Sequence, residues 1–184
     1  MVTHPAIAII LGSPASGKTS LGLRLAADLA LPCFCKDDIK EALFDSLGGG
    51  DRDWSSRLSR ASFACVLRLA ETQIRLGGRC LIEGNWRALH LPQLCKLAAG
   101  DARPPELRWA QVLCRASSEE ALRRFHARRR HPGHLDDWPD AERAVLMSSD
   151  FLALPGPCLR YDSEHPEGYD ELRRQLEAWF AAAD

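Results

Sequence analysis

The sequence of 184 residues has no apolar run approaching the roughly 18–20 residues of a membrane span. Met1–Ala15 also lacks the basic-then-apolar layout of a secretory signal, so a soluble, cytoplasmic protein is expected. An excess of one charge is missing too. The 24 Lys and Arg stand against 25 Asp and Glu, a formal charge of −1. That balance gives no overall pull toward nucleic acid or an anionic membrane. No Cys-x-x-Cys pair occurs among seven cysteines, an odd number spread through apolar segments. They read as reduced, mostly buried thiols acting as small hydrophobes. On a strand, Cys33 and Cys35 would point to one face without bridging. Internal repeats and long linkers are absent, and 46% hydrophobic with 27% charged residues excludes a disordered or collagen-like chain. One domain spanning 1–184 is expected.

What is present alternates between strand and helix. Ala6–Leu11 (AIAIIL) is a continuous apolar run ended by Gly12, the pattern of a strand buried on both faces. A helix from Thr19 carries Leu21, Leu25 and Leu29 and stops before Pro32. Cys33–Cys35 is a short second strand, and Asp37-Asp38 opens a helix with Ile39, Leu43 and Leu47 on one face. Gly48-Gly49-Gly50 breaks it. Ser55–Leu76 reads as a long helix with Leu58, Ser62, Cys65, Leu69, Thr72 and Leu76 as its apolar stripe. Arg79–Glu83 and Leu107–Cys114 are the third and fourth strands. Ser117-Ser118-Glu119-Glu120 caps an Arg-rich helix. Pro157–Tyr161 is the fifth strand and Pro166–Ala183 a closing amphipathic helix. The expected class is α/β, three-layered, with a mainly parallel five-stranded sheet and an Arg-rich helical lid at about 117–138.

Gly12-Ser13-Pro14-Ala15-Ser16-Gly17-Lys18-Thr19 matches G-x-x-x-x-G-K-[ST]. The glycines let the backbone curl until successive amides point at phosphate oxygens. The helix that follows, through Ser20, adds the positive end of its dipole. Lys18 is expected to neutralise the β- and γ-phosphates of ATP, and Thr19 to ligate Mg²⁺. The pattern sits between a buried strand and a helix, the context its chemistry requires.

A phosphate loop does not name the phosphate's destination. There is no N-K-x-D guanine signature, and the third strand ends Leu81-Ile82-Glu83 instead of Asp-Glu. Small-acceptor kinases need a base near the acceptor hydroxyl and an Arg-rich lid. In an open parallel sheet the C-terminal strand ends gather where ligands bind. A carboxylate in Lys36-Asp37-Asp38-Ile39-Lys40, just after the second strand, therefore faces the phosphate loop. Asp37 is assigned to orient and deprotonate the attacking hydroxyl, and Asp38 to cap the next helix.

The phosphate loop, the Lys-Asp-Asp-x-Lys segment, Glu83-Gly84-Asn85 and Arg130-His131-Pro132-Gly133-His134 occur in this order in a family of small P-loop kinases. From Ala6 to about Tyr161 the chain resembles the AAA-type ATP-binding kinases related to chloramphenicol phosphotransferase, zeta toxin and the kinase domain of polynucleotide kinase. That resemblance implies that Asp37 activates the acceptor, that Lys40 lies near the acceptor or phosphate, and that Glu83 and Asn85 line the acceptor pocket. The usual Walker-B aspartate is missing.

Arg123, Arg124, Arg128, Arg129 and Arg130 crowd together just before His131. Arg124 and Arg128 share a helix face, and like charges so placed call for an anion or carboxylate between them. Arg124, Arg128 and Arg130 are the candidates for the transferring phosphoryl group. His126, His131, His134 and Cys114 fit lid chemistry better than zinc. Of the five tryptophans, mostly core or pocket wall, Trp86 beside Asn85 is placed by the acceptor. The reading is an ATP- and Mg²⁺-dependent phosphotransferase acting on a small molecule. A nucleic-acid 5′-hydroxyl or nucleotide-sugar kinase and an ATP-binding regulatory switch are the alternatives.

Overall fold

A computed structural model describes residues 4–98, 106–127, 129, 131–135 and 150–182. Five strands form one sheet in the order β2-β3-β1-β4-β5: β1 Ala6–Leu11, β2 Cys33–Cys35, β3 Arg79–Glu83, β4 Arg108–Arg115 and β5 Cys158–Asp162. Every pairing between them is parallel, so the expected mainly parallel sheet is parallel throughout.

Helices cover both faces, and strand alternation decides which side chain meets which layer. From β1, Ile7, Ile9 and Leu11 enter a core with Val66, Ala70 and Ile74 of helix α3 (Arg52–Arg75) and Leu94 of helix α4 (Leu91–Ala98). The intervening Ala6, Ala8 and Ile10 face Leu21 and Leu25 of helix α1 (Lys18–Leu29). They also meet Leu172, Leu176 and Phe180 of helix α6 (Tyr169–Ala181). On β4 the buried Gln111 is satisfied by the chain at Leu152. Its Nε2 donates to Leu152 O at 3.0 Å, and Leu152 N donates to its Oε1 at 2.7 Å.

Two remaining helices frame the C-terminal strand ends: α2 (Lys36–Leu47) follows β2 directly, and α5 (Ser118–Ala127) follows β4. Among the described residues no helix is long and apolar enough to cross a membrane.

Several boundaries differ from the sequence reading. Helix α3 starts at Arg52 because Asp51, ahead of Ser55, accepts from Trp54 N at 2.8 Å and caps it. Its buried row is Leu58, Ser62, Val66, Ala70 and Ile74, while Cys65 and Thr72 are exposed, as are Leu69 (44%) and Leu76 (79%). The expected stripe alternated steps of four and three to run along the helix axis. The observed row steps by four, so it slants around the helix. Small residues at 62 and 70 let that row approach the sheet. Helix α4, entered through a 3-10 turn at Ala88–His90, was not anticipated; Pro92 falls in its first turn, where proline is tolerated. The closing helix begins at Tyr169, after a 3-10 turn at Pro166–Gly168.

Candidate functional site

The sheet register sets the site. Ile10 of β1 and Cys35 of β2 both pair with Glu83 of β3. The chain leaving β1 as the 12–19 loop and the chain leaving β2 as Lys36-Asp37 therefore emerge at one edge, with Glu83 between them.

The loop curls as its glycines allow. Ser16 N donates to Ser13 O at 3.2 Å, and Gly17, the N-cap of α1, takes a left-handed φ of 89° that disfavours a side chain. The Ser16 hydroxyl is buried and has no hydrogen-bond partner among the described residues. It points at Gly12, where an added Cβ would lie 2.4 Å from it. Lys18 is buried and reaches Ser13 O at 3.5 Å. An orphaned hydroxyl, a folded-back lysine and a helix N-terminus on one loop suit a polyanion.

Glu83 lies against this loop. It is 1% exposed, its Oε1 is 3.8 Å from Lys18 Nζ, and its Oε2 accepts from Thr19 Oγ1 at 3.2 Å. Burial pushes its carboxyl above the usual range; the Lys18 charge and the Thr19 hydrogen bond oppose that, while Asp37 and Asp38 add to it. Expected in the acceptor wall, Glu83 also touches the phosphate loop directly, a contact the sequence reading did not assign. One β3 residue that neighbours β1 cannot avoid the phosphate loop, and the carboxylate stands where a Walker-B acid would. Thr19 and Glu83 form a hard oxygen pair of the type Mg²⁺ takes.

Asp37 projects from the first turn of α2. Lys36 Nζ, itself buried, donates to its Oδ1 at 3.0 Å. Burial alone would raise this carboxyl, but Lys36, then His134 and Lys18, hold it well below the usual carboxylate range. Asp37 is therefore ionised and within electrostatic reach of the phosphate-loop lysine. Asp38 is exposed, and its carboxyl is pushed up by partial burial and by the Asp37 charge. Its expected capping role is corrected: the N-cap of α2 is Cys35, which makes no side-chain cap bond. Cys33 and Cys35 lie on one side of β2 with their sulfurs 3.8 Å apart, both free.

Lys40, one turn beyond Lys36, is buried, and its Nζ donates to Ser55 Oγ of α3 at 2.9 Å. Asn85 follows β3 and is half-buried. Trp86, expected by the acceptor, is buried, and its indole N–H has no hydrogen-bond partner among the described residues. Its indole is 1% exposed and packs edge-on against Phe63 and His90, with ring centroids 4.9 and 5.5 Å away. A ring that large, placed where β3 gives way to α4, fills the gap between α3 and the sheet.

A cleft of about 360 Å³ opens beside the loop, lined by Ala15 and Gly17 to Ser20 on one side and by Arg123, Arg124 and Ala127 of α5 on the other. Arg124 is held at its mouth: Nε donates to Glu120 Oε1 at 2.6 Å and Nη1 to Ser163 Oγ at 2.7 Å. Glu120 also accepts from Arg123, through Nε to Oε2 at 2.6 Å and Nη2 to Oε1 at 2.7 Å, so it sits between Arg123 and Arg124. Arg128, Arg130 and Trp138 lie outside the described residues.

Comparison with known proteins bears on the family and the fold. A family model described as an AAA domain matches residues 7–150. No curated protein matches the chain. Among solved structures, a candidate kinase from Chloroflexus aurantiacus J-10-fl superposes with a TM-score of 0.85 at 32% identity, over 95% of this chain and 98% of that one. A gluconokinase from Sinorhizobium meliloti 1021 gives a TM-score of 0.55 at 17% identity, covering 99% of this chain and 94% of that one. An APS kinase from Mycobacterium tuberculosis, solved with AMPPNP and APS, gives 0.51 at 16% identity, over 96% of each chain. These last two share the fold.

Proposed function

The chain belongs to the AAA domain family, and from that premise we propose that it is an ATP- and Mg²⁺-dependent phosphotransferase acting on a hydroxyl of a small molecule. One observation carries the proposal. A single sheet edge gathers a buried lysine and Thr19–Glu83 oxygen pair on the phosphate loop, and an ionised Asp37 within electrostatic reach of that lysine.

The roles follow from placement. The Gly12–Ser20 segment, through its free backbone N–H groups (Pro14 has none) and Ser16 Oγ, is suited to holding the phosphates, and Lys18 to offsetting charge on the β- and γ-positions. Thr19 and Glu83 would hold Mg²⁺, which when bound neutralises phosphate charge. Asp37 accepts a hydrogen bond from the acceptor hydroxyl and orients its oxygen toward the phosphate loop. A carboxylate with a depressed pKa is a weak base, and phosphoryl transfer asks for little more: the transition state is loose, and positioning contributes most of the catalysis. Arg124 serves the transferring group from the α5 side, and Arg128 and Arg130 are proposed for the same group. Lys40 and Asn85 flank the acceptor. The chain works as one domain, with 117–138 as its lid.

The near-zero net charge and the carboxylates at the acceptor end favour a small molecule over a nucleic-acid strand. The test is an ATP-consumption screen over sugars, antibiotics, nucleosides and 5′-hydroxyl oligonucleotides. Turnover stimulated by a small hydroxyl compound is expected. Hydrolysis indifferent to every acceptor would indicate a nucleotide switch. Oligonucleotide labelling that collapses with added salt would indicate a nucleic-acid kinase.

A further inference from the structure

Helix α2 carries three carboxylates one turn apart: Asp37, Glu41 and Asp45. The first belongs to the proposed site. The other two are engaged by the His131-Pro132-Gly133-His134 segment, whose residues the reaction as described gives no individual role. His134 Nε2 lies 3.0 Å from Glu41 Oε1, and its side chain is 6% exposed. His131 Nε2 lies 3.0 Å from Asp45 Oδ1.

The segment is seated tightly. Gly133 N donates to His131 Nδ1 at 3.1 Å, so Nδ1 is the accepting nitrogen and Nε2 carries the proton given to Asp45. The His131 ring meets Phe44 edge-on, with centroids 5.3 Å apart. A Cβ on Gly133 would come within 3.1 Å of both Phe44 Cβ and Cγ, so glycine permits the approach. From α3, Ser55 Oγ donates to Gly133 O at 3.3 Å while accepting from Lys40 Nζ at 2.9 Å. Residues on α2 and α3 thus fix where His134 stands, against Glu41, which lies one turn along α2 from Asp37.

We propose that His134 is a positioning residue for Asp37: pinned by Glu41, it holds the acceptor-facing carboxylate of α2 in its working orientation. The proposal rests on the phosphotransferase reading above. Its electrostatics are consistent with the geometry, since His134 is among the groups that hold Asp37 in its ionised form. Only residues 128–130 separate α5 from His131 in sequence, so the same tie links the arginine side of the site to the acceptor side.

The experiment uses the full chain, γ-labelled ATP with Mg²⁺, and water as the acceptor. Turnover is followed for hours in His134→Ala, His134→Gln and Glu41→Gln, each alone and combined with Asp37→Asn. Melting temperature and Mg·AMPPNP affinity are measured alongside. We expect His134→Ala to lower kcat by about tenfold with KM for ATP unchanged, and His134→Gln, which keeps a donor for Glu41, to recover most of it. The loss should shrink below about twofold in the Asp37→Asn background, because a residue acting through Asp37 has nothing left to position. If His134→Ala does not fold, Glu41→Gln probes the same contact from the other side. An equal loss in both backgrounds, or an unchanged kcat, overturns the positioning role alone. Asp37→Asn turning over at the wild-type rate overturns the phosphotransferase reading and the positioning role with it.

Discussion

Glu83→Gln separates the cost of the site from its use. In the free protein the Glu83 carboxyl is 1% exposed, and its partners are one hydroxyl at 3.2 Å and a lysine at the long distance of 3.8 Å. These do not offset burial, so its folded pKa is raised above 4.5. The folded state then holds a proton the unfolded chain has lost, and stability falls as pH rises from about 4.5 through the folded value. A neutral amide of the same shape removes that penalty and still accepts from Thr19. Replacing an imperfectly compensated buried charge returns about 1–2 kcal/mol. For a chain of this size that is roughly 2–8 °C in Tm. Thermal unfolding by circular dichroism in metal-free buffer should show Glu83→Gln above wild type at pH 7.5 and nearly level with it at pH 4.5. Mg·ATP turnover of the same variant should fall by at least about 100-fold, since its charge on the metal side is lost. A Tm below wild type at pH 7.5 would refute the reasoning. Glu83 and Lys18 would then form a stabilising ion pair, and the site would carry no stability cost.

Lys18→Ala should abolish ATP turnover while leaving the fold intact, as its side chain packs into the phosphate loop and not into either apolar core; turnover at the wild-type rate would sink the loop assignment. Arg124→Ala should lower kcat by roughly 10²-fold with a smaller effect on ATP affinity, because a fixed donor contributes most to transition-state charge; steady-state kinetics would show the reverse if Arg124 only braces α5. His90, buried against Phe63 with its Nδ1 accepting from Arg87 N at 3.0 Å, has its pKa lowered below 6.5 by burial. The unfolded chain takes up that proton first, so stability should fall as pH drops through about 6.5. His90→Gln should flatten this acid limb between pH 7.5 and 5.5, and melting curves with the same slope as wild type would contradict it.

The parts legible in sequence were those fixed by local chemistry. A six-residue apolar run ended by glycine reads as a strand buried on both sides, which it is, and its Gly12 end with Lys18-Thr19 marks the phosphate loop. Asp37 was placed by a topological rule, since any parallel sheet brings strand ends together. Residues whose roles depend on packing were less legible. The heptad-like row through Cys65, Leu69 and Leu76 competes with the four-step row through Val66, Ala70 and Ile74 in the same helix. Only the packing of α3 against the sheet, which buries Val66, Ala70 and Ile74, decides between them. Trp86 follows Glu83-Gly84-Asn85 closely enough to suggest the pocket, yet burial of its ring is set by Phe63 and His90 on elements distant in sequence or hidden behind Pro92. Glu83 carried a usable signal: an acid ending the strand after a phosphate loop. Its meaning turned on strand order, because β3 and not β2 lies next to β1.

Transfer of labelled γ-phosphate by Asp37→Asn and Asp38→Asn, with the acceptor found by the screen, tests the pairing of α2 with the phosphate loop most directly. Asp37→Asn keeps the shape but removes the charge that orients the hydroxyl, so transfer should fall by roughly 10²–10⁴ with Mg·ATP affinity nearly unchanged. Asp38→Asn, at an exposed position with no capping bond to lose, should transfer at close to the wild-type rate. Wild-type transfer by Asp37→Asn, or an equal collapse in Asp38→Asn, would contradict the assignment of the site.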